Sequence, residues 1–284
     1  MNIFIYSPNW IGDAVMAIPF MEELKNVYPD NRTHVFCRKW VAGIYENNPY
    51  IDEIIPFSDE EVKGLRNMLA IGSFLRKRKF ELAYTLTESL RSAFLLWLSG
   101  SPIRYGYKSQ MRSIFLTEAV PKPNSNIHRS LKYINLIKQE TDERLTPRLY
   151  LTKTEEEWAE KELETIGYAN PVAIFPFSVA KSRTIPHKTL KEWLGPKKEN
   201  YLIFGSKNDV VDSQKLVSSF LRNSIKSLCG KYSFRKSIAL ISKCKYALAA
   251  DSGLGHVSAA LSVPTISIFG AGLSSMTAPV GQKI

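Results

Sequence analysis

The chain has 284 residues, of which 44% are hydrophobic and 23% charged, which excludes a disordered chain and leaves room for two domains of ordinary size. Lys and Arg number 38 against 27 Asp and Glu, a formal charge of +11 that favours anionic partners and says nothing about fold. Cys37, Cys229 and Cys244 lie far apart with no CxxC pair, which argues against a disulfide framework or a zinc site and fits a reducing compartment.

The start carries no positive n-region, so no leader is expected and the setting is read as cytoplasmic. Ile3–Tyr6 is a short apolar run that predicts a strand. A turn-rich segment, Ser7–Asp13, leads into a helical pattern from Ala14 to Val27, with Pro19 expected to kink it or to lie in its first turns. Strands are predicted at Thr33–Cys37, Ile51–Ile55 and Leu82–Leu86, with a basic helix over residues 65–79 and an apolar one over residues 91–98. Residues 139–147 turn polar, and the domain break is placed near residue 150. Thr154 and Glu157 then predict a capping box, on a helix that Gly167 ends.

The second half predicts strands at Val172–Phe175, Tyr201–Phe204, Ile225–Leu228, Tyr246–Ala250 and Thr265–Phe269, separated by helix-length segments. That alternation implies parallel sheets covered on both faces. From Ser252 to Val280 there is no charged Asp, Glu, Lys or Arg, but glycines and prolines interrupt the run, so it is read as a helix start, a strand and a loop rather than a membrane span.

Four constellations invite chemistry. In Asn9–Val15 (NWIGDAV), Gly12 allows a tight turn and Asp13 stands at a helix start, as a cap or as a general base that takes a proton from a sugar hydroxyl. In Ala250–Leu261 (ADSGLGHVSAAL), a strand runs into a helix start whose free N–H groups and dipole suit a phosphate. Gly253 and Gly255 would let a ligand approach there. His256 is either a donor to it or a surface residue, and Asp251 or Ser252 is the alternative cap. On Pro176–Pro186 (PFSVAKSRTIP), Ser178, Ser182, Lys181 and Arg183 suit a diphosphate or are an ordinary solvated loop. In Phe204–Asp209 (FGSKND), Asp209 either accepts from ribose hydroxyls or caps a helix.

Arg91, Arg104, Lys108, Arg112, His128, Arg129 and Lys132 are basic groups that suit an acidic acceptor or a solvated surface. No Walker motif, GxSxG elbow, DxD triplet, HExxH or cysteine cluster is present, so leaving-group charge is expected to be met by backbone N–H groups and cations, with neither metal nor cofactor. No aromatic-plus-basic stacking motif points to nucleic acid.

Taken together, NWIGDAVMAIPFMEELKNVYP, FGSKND, LCGKYSFRKSIALISKCKYALAADSGLGHVSAALSVPTISIFGA and the final TAPVG resemble glycosyltransferase family 9, the ADP-heptose–lipopolysaccharide heptosyltransferase family. The resemblance implies an α/β GT-B architecture: two Rossmann-like, doubly wound parallel-sheet domains facing a cleft, residues 1–150 binding the acceptor and 151–284 the nucleotide-sugar. It implies inverting, metal-independent transfer of a heptose-type sugar to a lipopolysaccharide core, with Asp13 as the base. Ser178, Lys181, Arg183, Asp209, Asp251, Ser252, Gly253, Leu254 and His256 would bind the donor. Trp10, Arg91, His128 and Lys132 would bind an anionic glycolipid acceptor, with peripheral contact at the cytoplasmic face of the inner membrane. The sequence departs from the family's pattern at Pro176-Phe177-Ser178 and at Ile185, where a Trp beside the donor is common. It also stops soon after its last strand, where relatives continue into a C-terminal helix returning to the first domain. A GT-B nucleotide-sugar epimerase and an inactive nucleotide-sugar binder are the rival readings.

Overall fold

The computed structural model describes residues 1–109, 111–123, 126–137, 146–220 and 224–281. Most of the polar stretch at residues 139–147 lies outside them. The chain divides into two compact units, Met1–Pro147 and Arg148–Ile284.

Unit 1 is a six-stranded parallel sheet of β1 (Asn2–Tyr6), β2 (Arg32–Arg38), β3 (Glu53–Phe57), β4 (Leu82–Thr85), β5 (Ile103–Tyr107) and β6 (Glu118–Val120), in the order β3-β2-β1-β4-β5-β6. That is the doubly wound Rossmann order, and its reversal falls between β1 and β4. Ile3 to Tyr6 are all buried, as a strand covered on both faces requires. On one face Phe4, Tyr6, Phe36, Phe57 and Phe80 form an aromatic core, with Phe36 and Phe57 stacked at 4.1 Å between centroids. On the other, Ile5 lies in register with Tyr84, whose ring meets Phe20 edge-on at 5.2 Å.

The expected helix from Ala14 to Val27 is two helices, α1 (Ile11–Met16) and α2 (Ile18–Val27), with Pro19 in the first turn of α2, where its missing N–H costs nothing. α3 (Leu65–Arg76), α4 (Leu90–Leu98) and α5 (Arg129–Ile134) complete the unit's α-helices among the described residues. β3 begins two residues later than expected. It holds Pro56, which is tolerated because β3 is an edge strand.

Unit 2 is a five-stranded parallel sheet of β7 (Val172–Phe175), β8 (Tyr201–Ile203), β9 (Ile225–Ser227), β10 (Ala247–Ala250) and β11 (Thr265–Ile268), in the order β11-β10-β7-β8-β9. Its helices are α6 (Lys153–Ile166), α7 (His187–Leu194), α8 (Val210–Ser218), α9 (Phe234–Ser242), α10 (Gly253–Ala260) and α11 (Ser274–Thr277). The order reverses between β7 and β10, so the loops after these two strands flank the switch point.

The capping box of α6 is not the expected one. Thr152 caps it and Glu155 closes the box, because Arg235 of α9 grips Glu155 through Nε at 2.7 Å and Nη2 at 2.6 Å. Gly167 ends the helix in the left-handed conformation, φ 79°. The uncharged run from Ser252 divides into α10, β11 and α11. Among the described residues no helix is long and apolar enough to cross a membrane.

Candidate functional site

In unit 1 the loop from β1 to α1 is tied down before it reaches Asp13. Ser7 N donates to Phe36 O at 3.0 Å, and the Ser7 and Tyr45 hydroxyls bond at 2.7 Å. Arg38 Nε donates to Asn9 Oδ1 at 3.2 Å, and Trp40 Nε1 donates to Asn9 O at 3.0 Å. Trp10, 61% exposed, occupies the N-cap position with no side-chain cap bond, which puts Asp13 in the first turn and not at the cap.

Asp13 is half-buried. Arg129, the first residue of α5, places Nε 3.9 Å from Asp13 Oδ1. Burial holds the Asp13 carboxyl above its ordinary value, while the Arg129 and Lys132 charges pull it partly back. Asp13 is therefore a stronger base than an exposed aspartate.

The expected acceptor cations separate once placed. Arg91 is exposed in the first turn of α4 and acts, with Arg38, on the buried Tyr6 hydroxyl at the carboxyl end of β1. Lys132 pairs with Glu88, which also binds Lys122 at 2.6 Å. Burial alone would raise Glu88, but the hydrogen bonds from Lys122 and Lys132 hold it down at about 2. His128 is buried and caps α5, its Nδ1 accepting from Ser130 N at 3.3 Å. Arg112 is fully buried. Its Nε donates to Tyr107 O at 2.8 Å and its Nη1 to Thr87 O at 2.5 Å, so it braces the chain between β4 and α4 and is not open to an acceptor.

In unit 2 the loops after β7 and β10 are joined. Ser178 Oγ donates to Asp251 O at 3.1 Å, and Arg183 Nη1 donates to Asp251 Oδ2 at 3.3 Å. Arg183 stays partly exposed while Asp251 is buried, so the carboxylate orients the guanidinium beside the entrance of α10. Ser252 is the N-cap of α10 but makes no side-chain cap bond, and its Oγ is buried with no hydrogen-bond partner among the described residues. The first-turn N–H groups of α10 thus have no side-chain cap, the condition in which a helix start receives an anion. Gly253 and Leu254 form that first turn, partly exposed.

Several readings are revised here. Gly255 serves packing, since a Cβ there would lie 3.0 Å from Ala249 Cβ. His256 is buried and not on the surface. Ile185 belongs to the unit's hydrophobic core. Asp209 Oδ2 accepts from Ser206 N and Oγ, both at 2.7 Å, the arrangement of a capping box. Lys181 is exposed on a short 3-10 turn, Lys181–Arg183.

Two groups escaped sequence reasoning. Arg129 was one basic residue among many, and only the fold brings it to Asp13. Gly272, after β11, abuts Asp251: a Cβ there would overlap Asp251 Oδ2. The three cysteines are buried free thiols. Among the described residues no group of three or more His, Cys, Asp or Glu is placed to hold a metal ion.

Residues 68–284 match the model of glycosyltransferase family 9 (heptosyltransferase). Over its full length the chain is 24% identical to lipopolysaccharide heptosyltransferase 2 of Escherichia coli, covering 86% of that protein. It is 26% identical to lipooligosaccharide heptosyltransferase 2 of Haemophilus influenzae, again over the full chain and 87% of the relative. Among solved structures it superposes on E. coli ADP-heptose lps heptosyltransferase II with TM-score 0.88 at 23% identity, covering all of this chain and 89% of that one. The glycosyl transferase family 9 protein from Veillonella parvula gives TM-score 0.91 at 19% identity, over all of this chain and 86% of that one. With two parallel-sheet α/β units, the likeness gives the fold as GT-B.

Proposed function

The chain belongs to glycosyltransferase family 9 and is a glycosyltransferase, and from that premise we propose that it transfers a heptose from an ADP-linked donor to a lipopolysaccharide core acceptor. The names of its relatives support the sugar, the nucleotide and the acceptor. The reaction is a single displacement with inversion and needs no metal. An acceptor hydroxyl attacks the anomeric carbon as Asp13 takes its proton, and the nucleoside diphosphate leaves. Unit 2 receives the donor: the uncapped start of α10 and the Arg183 guanidinium meet the departing diphosphate charge, with Ser178 and Asp251 as their supports.

The observation that carries this reading is the setting of Asp13. It makes no cap bond, burial raises its basicity, and Arg129 stands beside it. Unit 1 receives the acceptor, with Trp10, Arg91 and Lys132 as its contacts, and the enzyme works as a peripheral protein at a membrane surface. Incubating the protein with ADP-heptose, with and without heptose-deficient core acceptor, tests the reading. ADP release that depends on acceptor, with the anomeric configuration inverted in the product, is expected. A new sugar isomer from donor alone would replace transfer with epimerisation.

A further inference from the structure

We propose that α3, α4 and the 3-10 turn Arg112–Phe115 of unit 1 form one docking face for an anionic lipid bilayer. Leu90, Phe94 and Trp97 stand on one stripe of α4, opposite its buried Ser92, Ala93, Leu95 and Leu96. On one side the stripe continues into the 3-10 turn. Trp97 stacks on Phe94 at 5.7 Å, and both rings meet Phe115, at 6.0 and 5.1 Å. The tip of that turn is bare: Ile114 is 77% exposed and Met111 90%. Met111 also holds a left-handed φ of 55°, a costly conformation for a residue that touches so little protein. On the other side lies α3, packed so closely that a Cβ on Gly72 would overlap Leu98, with Leu65 and Leu69 exposed.

Charge identifies the occupant. From Val62 to Phe80, and again from Ser89 to Thr117, the sequence has no Asp or Glu. Arg66 and Arg76 flank the exposed leucines of α3, and Arg91 flanks the α4 stripe. Arg104 Nε donates to Phe115 O at 2.8 Å, bringing a cation against the aromatic cluster. An aliphatic tip, a tryptophan and a cationic rim without acids match acyl chains, an interfacial layer and anionic headgroups in turn. A second copy of the chain fits worse, since a two-fold contact through this face would oppose cation to cation.

The inference rests on the peripheral-membrane part of the proposed function, and the test separates the two. The full chain is floated with vesicles of phosphatidylglycerol and phosphatidylethanolamine, and with phosphatidylcholine alone. Binding to the anionic vesicles, weakened by salt, is expected. The double variant Met111→Glu/Ile114→Glu should lower the bound fraction at least tenfold, with thermal melting and ADP binding unchanged, since both side chains face solvent. Equal binding by the variant, or equal binding to phosphatidylcholine, overturns the proposal. So does self-association in sedimentation velocity that the same variant abolishes. Failure of the wild-type chain to bind ADP would count against the transferase reading and leave the vesicle result standing.

Discussion

Arg129 Nε stands 3.9 Å from Asp13 Oδ1, a charge contact longer than a hydrogen bond, made by the first residue of α5 to the first turn of α1. Lys132 from α5 adds a second positive charge, and the buried hydroxyls of Tyr45 and Tyr133 also sense the Asp13 charge. Burial wins over both cations, so the carboxyl is more basic than usual, though less so than it would be without them.

Removing that help should move the acidic limb of the rate profile. With Arg129→Gln the Asp13 carboxyl rises further, so kcat/KM should begin to climb at higher pH than in the parent and recover toward the parent plateau in alkali. A profile measured from mild acid to alkali checks this. A uniform loss at every pH would mean that Arg129 binds acceptor instead.

The same burial has a cost to folding. A carboxyl whose folded pKa lies above its unfolded value loses stability as pH rises from the unfolded value through the folded one. Asp13→Asn should therefore melt at the same temperature as the parent or higher at neutral pH, as expected where a site is kept at the expense of stability. A lower melting temperature would show that Asp13 is a structural residue.

Arg112 is a brace, and its loss should be felt in folding before activity. Its guanidinium serves the Tyr107, Thr87 and Ser89 carbonyls, and a Cβ on Gly106 would lie 2.8 Å from its Nη2. Arg112→Met should cost about 2 kcal/mol or more in urea unfolding, and Arg112→Lys should rescue little, because an ammonium cannot span the same carbonyls.

Most strands of both sheets were legible because buried parallel strands are short apolar runs, as in Ile3–Tyr6 and Val172–Phe175. β5 and β6 were not: they lie toward one edge of the sheet, and β5 carries Arg104 and Gly106. Two capping boxes overlap in the sequence at Thr152 and Thr154, and the distant Arg235 selects the first. The two helix starts at Asp13 and Gly253 were visible as strand-to-helix junctions. What surrounds them was not, because Arg129, Gly272 and the Ser178 bond come from segments that only folding brings near.

Gly272 offers a test of unit 2. Gly272→Ala must displace the Asp251 carboxylate, and with it Arg183. ADP affinity should fall by calorimetry, and Asp251→Asn should lower it too, although removing a negative charge near a phosphate would by itself raise it. Tighter binding by Asp251→Asn would mean that the carboxylate merely repels the ligand.

Acid should weaken unit 2 through Glu155. Its hydrogen bonds from Arg235, outweighing burial, hold the carboxyl at about 2 against an ordinary 4.5. The stability it contributes is full above the ordinary value and is lost as pH falls toward 2. Glu155→Gln should lower the melting temperature at neutral pH and flatten its fall between those limits.

The most direct test is single-turnover transfer by Asp13→Asn beside calorimetric binding of the donor. With the proposed roles, in which unit 2 holds the nucleotide and position 13 moves only the acceptor's proton, the rate should fall by ~10²–10⁴-fold with donor affinity unchanged. Transfer at the parent rate would remove Asp13 from the chemistry.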